Sequence, residues 1–243
     1  MKRFLFGTDS HGDQIDPEAA RAFLEFAEDF KPHVKIHGGD FLDLRPIRRG
    51  ASNEEQAENM LDDVESGIMF LKQYFKGSGE RVLTLGNHDH RLWELSESSV
   101  AGLKAEYAFS LRQRLEKILD RLRVDYRPYC VRRGRYQLGN LSFVHGFHHN
   151  IHCAKTHAEK FGSVIFGHVH RFSESTVAHV DHIVGMSCGS LAKTDMPYTH
   201  KMTSSLAHEN GWIFGIVNEK TGNWEAWKVR QTEDGRWLNP RTI

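Results

Sequence analysis

Apolar residues follow two spacings along this chain, and the switching between them predicts its elements. Short unbroken apolar runs at Lys2–Thr8, Val34–His37 and Arg81–Leu85 read as buried strands. Between them lie two stretches with helical spacing. Ala20, Phe23, Leu24, Ala27 and Phe30 mark one face of the first. It starts at Asp16-Pro17-Glu18, a capping Asp, a Pro at the first helical position and an early acid. Ala57, Met60, Leu61, Val64, Ile68, Leu71 and Phe75 mark the second, one long helix behind a capping box at Ser52-Asn53-Glu54-Glu55 and ended by Gly77-Ser78-Gly79. This β–α–β–α–β order predicts a parallel sheet with crossover helices.

From Trp93 to Val124 the spacing is helical again, in two helices broken near Ser98–Gly102. Two helices exceed a plain crossover, so residues 91–125 read as an insertion that shapes a cleft. Tyr126–Val144 turns to short β-rich runs, with Arg-Gly-Arg and Gly-Asn turns that predict antiparallel hairpins. A helix is expected over His152–Phe161, and strands over Ser163–Phe166, Glu174–His179, His182–Met186, Trp212–Val217 and Trp224–Val229. No repeat, low-complexity block or linker divides the chain. Residues 1–230 therefore read as one α/β domain with two sheets, and 231–243 as a weakly ordered tail.

Polar chemistry collects where the strands end. After Val34–His37 the two glycines of Gly38-Gly39-Asp40-Phe41-Leu42-Asp43 allow a sharp turn, which sets Asp40 at the carboxyl end of a strand, where open α/β sheets carry their sites. A carboxylate has two oxygens, so Asp40 is expected to hold two metal ions. Four more motifs sit at strand ends: Asp9-Ser10-His11, Gly86-Asn87-His88-Asp89, His145-Gly146 and Gly167-His168-Val169-His170. Each alone is a common turn or surface histidine; all five in one chain make coincidence a poor explanation. Carboxylate, imidazole and amide oxygen without thiolate suit Mn, Fe or Zn in a hydrolytic site. A pair of such ions can activate water and clamp a phosphate.

Composition narrows the setting. The 243 residues suffice for a sizeable core, and 39% hydrophobic with 26% charged residues is ordinary for a soluble globular protein. Zero net charge gives no global field for nucleic acid or membrane, while 16 histidines stand out as ligands and acid–bases. Cys130, Cys153 and Cys188 form no C-x-x-C pair, which argues against disulfides or a thiolate site and for a reducing compartment. Phe4–Phe6 is too short for a signal core, and no run reaches membrane-spanning length, so a cytoplasmic protein without membrane contact is expected.

The five motifs, in their order from Asp9 to His170, resemble those of the calcineurin-like metallophosphoesterase superfamily. The resemblance implies a four-layer α/β/β/α sandwich, two central mixed sheets flanked by helices, with a dimetal site at one edge. By motif, it implies Asp9, His11, Asp40 and His170 on one ion, and Asp40, Asn87, His145 and His168 on the other. It implies two divalent ions, Mn²⁺ foremost, with Fe or Zn as alternatives. His88 is the implied proton donor to the leaving oxygen, oriented by Asp43, and Gly189-Ser190-Leu191 looks like the family's Gly-Ser-Leu turn. Two departures point away from phosphoprotein phosphatases and toward the phosphodiesterase and repair-nuclease branches: Asp89 ends the third motif, and Leu44, not Arg, follows the second acid. Arg45, Arg48 and Arg49 either replace that phosphate clamp or face solvent.

Other features keep two readings. Nine Lys/Arg between Arg112 and Arg135, with Tyr126, Tyr129 and Tyr136, form either a nucleic-acid surface or a charged helix face. His148 and His152 have i, i+4 spacing and bind a further ion or, with His149 and His157, line the cleft. His200 and His208 could contact substrate, though no motif supports it. The expected function is dimetal phosphoester hydrolysis, a metal-bridging hydroxide attacking phosphorus with His88 assisting departure. Phosphodiesters, nucleotide or nucleic acid, are favoured over phosphomonoesters; the rival from another class is an inactive scaffold of the same fold. Oligomeric state is not legible.

Overall fold

Along the chain the strands are β1 (Lys2–Gly7), β2 (Val34–His37), β3 (Glu80–Thr84), β4 (Asp125–Arg127), β5 (Tyr136–Leu138), β6 (Leu141–Val144), β7 (Val164–Phe166), β8 (Ser173–Val177), β9 (Ile183–Ser187), β10 (Gly211–Val217), β11 (Trp224–Gln231) and β12 (Trp237–Leu238). The helices are α1 (Pro17–Phe30), α2 (Asn53–Gln56), α3 (Met60–Tyr74), α4 (Asn87–Ser96), α5 (Leu103–Arg121) and α6 (Cys153–Phe161). These come from a computed structural model, which describes residues 1–196 and 203–240.

Two mixed sheets result, one of seven strands in the order β12-β11-β10-β1-β2-β3-β4 and one of five in the order β5-β6-β7-β9-β8. Side-chain alternation sorts them into layers. Phe4, Phe6, Val34, Ile36, Val82, Ile213 and Val217 turn to one face of the large sheet and meet Leu141, Phe143, Ile165 and Met186 of the small one. Leu5, Leu83, Trp212 and Phe214 turn the other way, under α1, α3, α4 and α5. Outside the small sheet, α6 packs Cys153 and Ala154 over Val144, Val164 and Phe166. Helix, sheet, sheet and helix are thus stacked, as a metallophosphoesterase sandwich requires.

Within the large sheet β1, β2, β3 and β4 are parallel, and β7 runs parallel to both β6 and β9 in the small one. Their carboxyl ends lead into the loops that carry the five motifs. Asp16 caps α1 as read from the sequence, its carboxylate accepting from Glu18 N (3.0 Å) and Ala19 N (2.9 Å).

Four expectations change. The long second helix is two: Ser52 and Glu55 close their box on α2, then Asn59 caps α3 through Leu61 N at 3.1 Å. Asp125–Arg127 is not a hairpin strand but pairs parallel to β3, while Gly139-Asn140 does turn β5 into β6. The helix expected from Trp93 begins earlier, since Asn87 of the third motif opens α4 directly. Beyond 231 the chain is not all loose: β12 pairs with β11, and the Trp237 ring lies 4.7 Å from that of Trp212. No helix among the described residues is long and apolar enough to cross a membrane.

The seating of α6 depends on a missing side chain. A Cβ on Gly185 of β9 would come within 2.0 Å of the Ala154 carbonyl oxygen, so Gly185→Ala must push the helix off the sheet. Such overpacking costs about 1–3 kcal/mol. A thermal unfolding midpoint lower by about 2–12 °C is expected, read by calorimetry.

Candidate metal centre

Five residues of the motifs hold their backbones in the left-handed region: Asp9 (φ 54°), His11 (49°), Asp40 (49°), His168 (71°) and His170 (51°). That conformation turns each short loop back over the strand end and aims its side chain into a common cleft. The loops are tied by backbone hydrogen bonds, from Asp9 N to Gly39 O and from His11 N to Asp40 O (both 2.9 Å), and from Gly167 N to His145 O (2.7 Å). Glycine is required at Gly39, where φ is 95° and a Cβ would stand 2.3 Å from Thr84 O. It is required at Gly86 for closeness: a Cβ there would stand 2.0 Å from Asp40 Oδ1. Leu191 N reaches Thr8 O (3.1 Å), so the Gly189-Ser190-Leu191 turn borders the first motif.

Potential ligand atoms converge at two points. His11 Nδ1 lies 3.0 Å from Asp43 Oδ1 and donates to it, which leaves the Nε2 lone pair facing inward. That Nε2 is 3.2 Å from His170 Nε2 and 3.9 Å from Asp9 Oδ1, and His170 Nε2 is 3.3 Å from the same oxygen. Asp9 Oδ1 is buried and has no hydrogen-bond partner, while Oδ2 accepts from Thr8 Oγ1 (2.7 Å) and His168 N (2.9 Å). At the second point His145 Nδ1 donates to Gly38 O (2.8 Å), so Nε2 is turned toward Asp40 Oδ2 (3.2 Å) and Asn87 Oδ1 (3.1 Å). Potential ligand atoms of Asp9, His11 and His170 all lie within 4.8 Å of one another, as do those of Asp40, His145 and His168 and those of His11, Asp40 and His88. Asp40 belongs to two of these groups. A cation at the first point would satisfy Asp9 Oδ1, which has no other partner, and the carboxylates, imidazoles and amide oxygen of the two points fit divalent ions.

The charges agree with that geometry. Burial alone would raise the Asp9 and Asp40 carboxyls, but His170 beside Asp9, and His145 and His88 beside Asp40, hold both below the usual range. Burial likewise pulls His145 down, yet the Asp40 carboxylate lifts it to about 9. Burial and the neighbouring His145 charge take His168 to about 3, against the pull of Asp40 and Asp9.

Asp43 serves two imidazoles. Its Oδ1 is 3.0 Å from His11 Nδ1 and 2.7 Å from His88 Nδ1, and Oδ2 takes a hydrogen bond from Arg45 Nη1 (2.7 Å). His88 Nε2 then looks across at Asp40 Oδ2, 3.9 Å away. Asp89 acts differently. Its two oxygens accept from Asp40 N (2.8 Å), Gly86 N (2.8 Å) and Leu42 N (3.0 Å), so it braces the second and third motifs from below. Burial and the nearby Asp40 charge push its carboxyl well up.

Arg45 and Arg48 are not in the cleft. Arg45 is buried among Asp43, Asp13 and Glu58, and Arg48 is held by both oxygens of Glu55. Those carboxylates take up all three Arg45 nitrogens and Nη2 of Arg48. Sequence reading missed Arg91, one turn beyond His88 on α4, whose Nη1 donates to Asp43 O (2.9 Å) and lies 3.2 Å from His88 Nδ1. It also missed His37, which joins the first two motifs through Ser10 Oγ (3.1 Å) and Gly39 N (3.2 Å). The spacing of Arg91 from His88 was the available signal; His37 offered none beyond its place at a strand end.

Around the cleft, Tyr129 stands with its ring 5.9 Å from that of His145 and stacks on Phe147 at 4.9 Å. Tyr126 and Tyr136 instead turn to Glu116 and Glu80, and Arg112, Arg114 and Arg127 pair with nearby carboxylates. His148 and His152 join none of the candidate metal groups among the described residues. The His208 ring lies 4.8 Å from His170; His200 is outside the described residues.

No protein-family model and no curated protein sequence matches the chain. Solved structures do. A Vps29 single mutant (D62A) from Entamoeba histolytica aligns over 97% of each chain at 9% identity, TM-score 0.50. A novel archaeal phosphodiesterase aligns over 93% of this chain and 99% of its own at 13% identity, TM-score 0.46. The nuclease MPE of Pseudomonas putida covers 88% and 84% at 14% identity, TM-score 0.36. The fold of the chain is that of the calcineurin-like metallophosphoesterases.

One wall of the cleft depends on a neutral histidine. His157 is buried against Phe166, its Nδ1 donating to Cys153 O (2.8 Å) and its Nε2 accepting from Phe147 N (2.9 Å). Burial, against the pull of that carbonyl, takes the imidazole to about 4 from an ordinary 6.5. A depressed folded value favours the neutral form, so its stabilisation is complete above pH 6.5 and is lost as pH falls toward 4. The unfolding midpoint should decline across that window in wild type, and less steeply in His157→Gln, as followed by circular dichroism.

Proposed function

We propose that the chain is a metal-dependent phosphoester hydrolase that acts on phosphodiesters. The observation that carries this reading is the convergence of buried carboxylate and imidazole groups from the motifs, Asp9, His11 and His170 in one cluster and Asp40, His145 and His168 in the next, with Asp40 also grouped with His11 and His88. Asp9, His11, Asp40 and His170 would hold one divalent ion; Asp40, Asn87, His145 and His168 would hold the other. Such ions supply Lewis acidity, screening phosphate oxygens and making water a competent nucleophile at neutral pH.

The chain itself supplies orientation and a proton. Asp43 fixes the His88 ring through Nδ1, which leaves Nε2 to protonate the departing oxygen. The same carboxylate fixes His11, so ligand and proton donor are set by one group. The N-terminus of α4, beginning at Asn87, turns its positive end toward the bound phosphate. A preference for diesters follows from charge: Arg45 and Arg48 are taken up by carboxylates, so the second charge of a monoester finds neither clamp.

Protein purified without chelator and loaded with Mn²⁺ should contain two ions and turn over bis-p-nitrophenyl phosphate faster than the monoester; absence of turnover on either would overturn the reading. Asp40→Ala should lose both ions by elemental analysis, and retention of one at full occupancy would deny the shared ligand. His88→Ala should keep both ions and lose about 10²–10⁴ in kcat.

A further inference from the structure

The amino ends of β1, β2 and β3 open on a cavity of about 740 Å³, at the far end of the sheet from the metal cleft. The last turns of α1 and α3 cover it. Four cations line it, Arg3, Lys31, Lys35 and Lys76, against one carboxylate, Glu28. Among the described residues none of the four is in an ion pair; Arg3 donates to Lys31 O (2.8 Å) and Lys35 Nζ to Lys76 O (2.5 Å). Lys35 is 9% exposed. A buried ammonium carries three donors, and one of them has a partner. The others face the cavity, and burial with the neighbouring Arg81 charge holds this ammonium below its ordinary range against the pull of Glu28.

A purely structural account says that these cations cap carbonyls at the helix ends. It explains two hydrogen bonds of Arg3, both to Lys31 O, and one of Lys35. It leaves the remaining Lys35 donors unexplained, and gives Lys31 and Lys76 no role. The exposed backbone N–H groups of Ser78 and Gly79 border the same cavity, with no protein acceptor among the described residues. Donors of three kinds therefore surround one space of small-molecule size, with Leu24 and Ala27 as an apolar wall.

We propose that this cavity is a second anion site that takes a phosphomonoester. The phosphate sits on Lys31, Lys35, Lys76 and the Ser78–Gly79 N–H groups, and its organic group lies against Leu24 and Ala27. The site is independent of hydrolysis at the metal cleft, and its test does not require turnover there.

Phenylphosphonate is a suitable probe, because its carbon–phosphorus bond survives a phosphoesterase. Crystals of metal-loaded protein soaked in it should show the phosphonate in the remote cavity, whether or not the cleft is also filled. Calorimetric titration should find that K31Q/K76Q, in which both exchanged residues are exposed, loses the remote event or binds it at least about tenfold more weakly. Metal content and any diester turnover should be unchanged in that variant. Density confined to the cleft, or identical titrations of wild type and variant, would overturn the proposal.

Discussion

The centre depends on backbone that turns left-handed at the end of a strand. Five of its residues do so, and none of them is glycine. Each such conformation costs about 1–2 kcal/mol for an ordinary side chain, so the loops persist because something over-determines them. Asp89 does much of this, gathering three backbone N–H groups from two motifs. Asp9 and Asp40 add to it, each committing one oxygen to a backbone N–H of a different loop, His168 N and His88 N respectively. The bonds that hold the strain are therefore the bonds that aim the remaining oxygens into the cleft.

That division of labour separates carboxylates that look alike. Asp89 and Asp9 are equally buried and both sit in motifs. Asp89 gives both oxygens to the backbone, and burial beside Asp40 pushes its carboxyl up. Asp9 keeps one oxygen unpaired and facing an imidazole, and is held down. Asp43 is a third kind: it faces no open point, but it sets the rings of His11 and His88 while Arg45 and the Asp63 carboxylate fix it in turn. What distinguishes a candidate ligand from a brace is where the second oxygen points, not residue type or burial.

Most of the architecture was legible because each strand and crossover is marked locally. Asp16 announced α1, Ser52 announced α2, and the break near Ser98–Gly102 fell where α4 gives way to α5. The aspartates and histidines of the five motifs were legible as a set, because each stands immediately after an apolar run. What was not legible involves partners distant in the chain. Arg45 and Arg48 looked available until Asp13, Glu58 and Glu55 came up beside them. Tyr136 looked like a stacking surface until Glu80, from another sheet, accepted its hydroxyl. Asn59 looked like mid-helix, because its neighbours kept the apolar spacing on both sides of the break.

The same polarity of the chain governs both ends of the large sheet. Parallel strands and returning helices put every crossover helix's carbonyl end at the strands' amino ends, and the amino end of α4 at their carboxyl ends. Free carbonyls draw cations, which is why Arg3, Lys35 and Arg81 all donate to main-chain oxygen there. At the other end the strand-end turns must present carboxylates beside helix N–H groups, so the cleft gathers negative side chains within a positive dipole field. Cations assembled for helix ends outnumber the carbonyls they meet, and carboxylates assembled for turns keep oxygens to spare. Each surplus is a direct consequence of one βαβ handedness repeated along the sheet, and each defines the sign of what that end can bind.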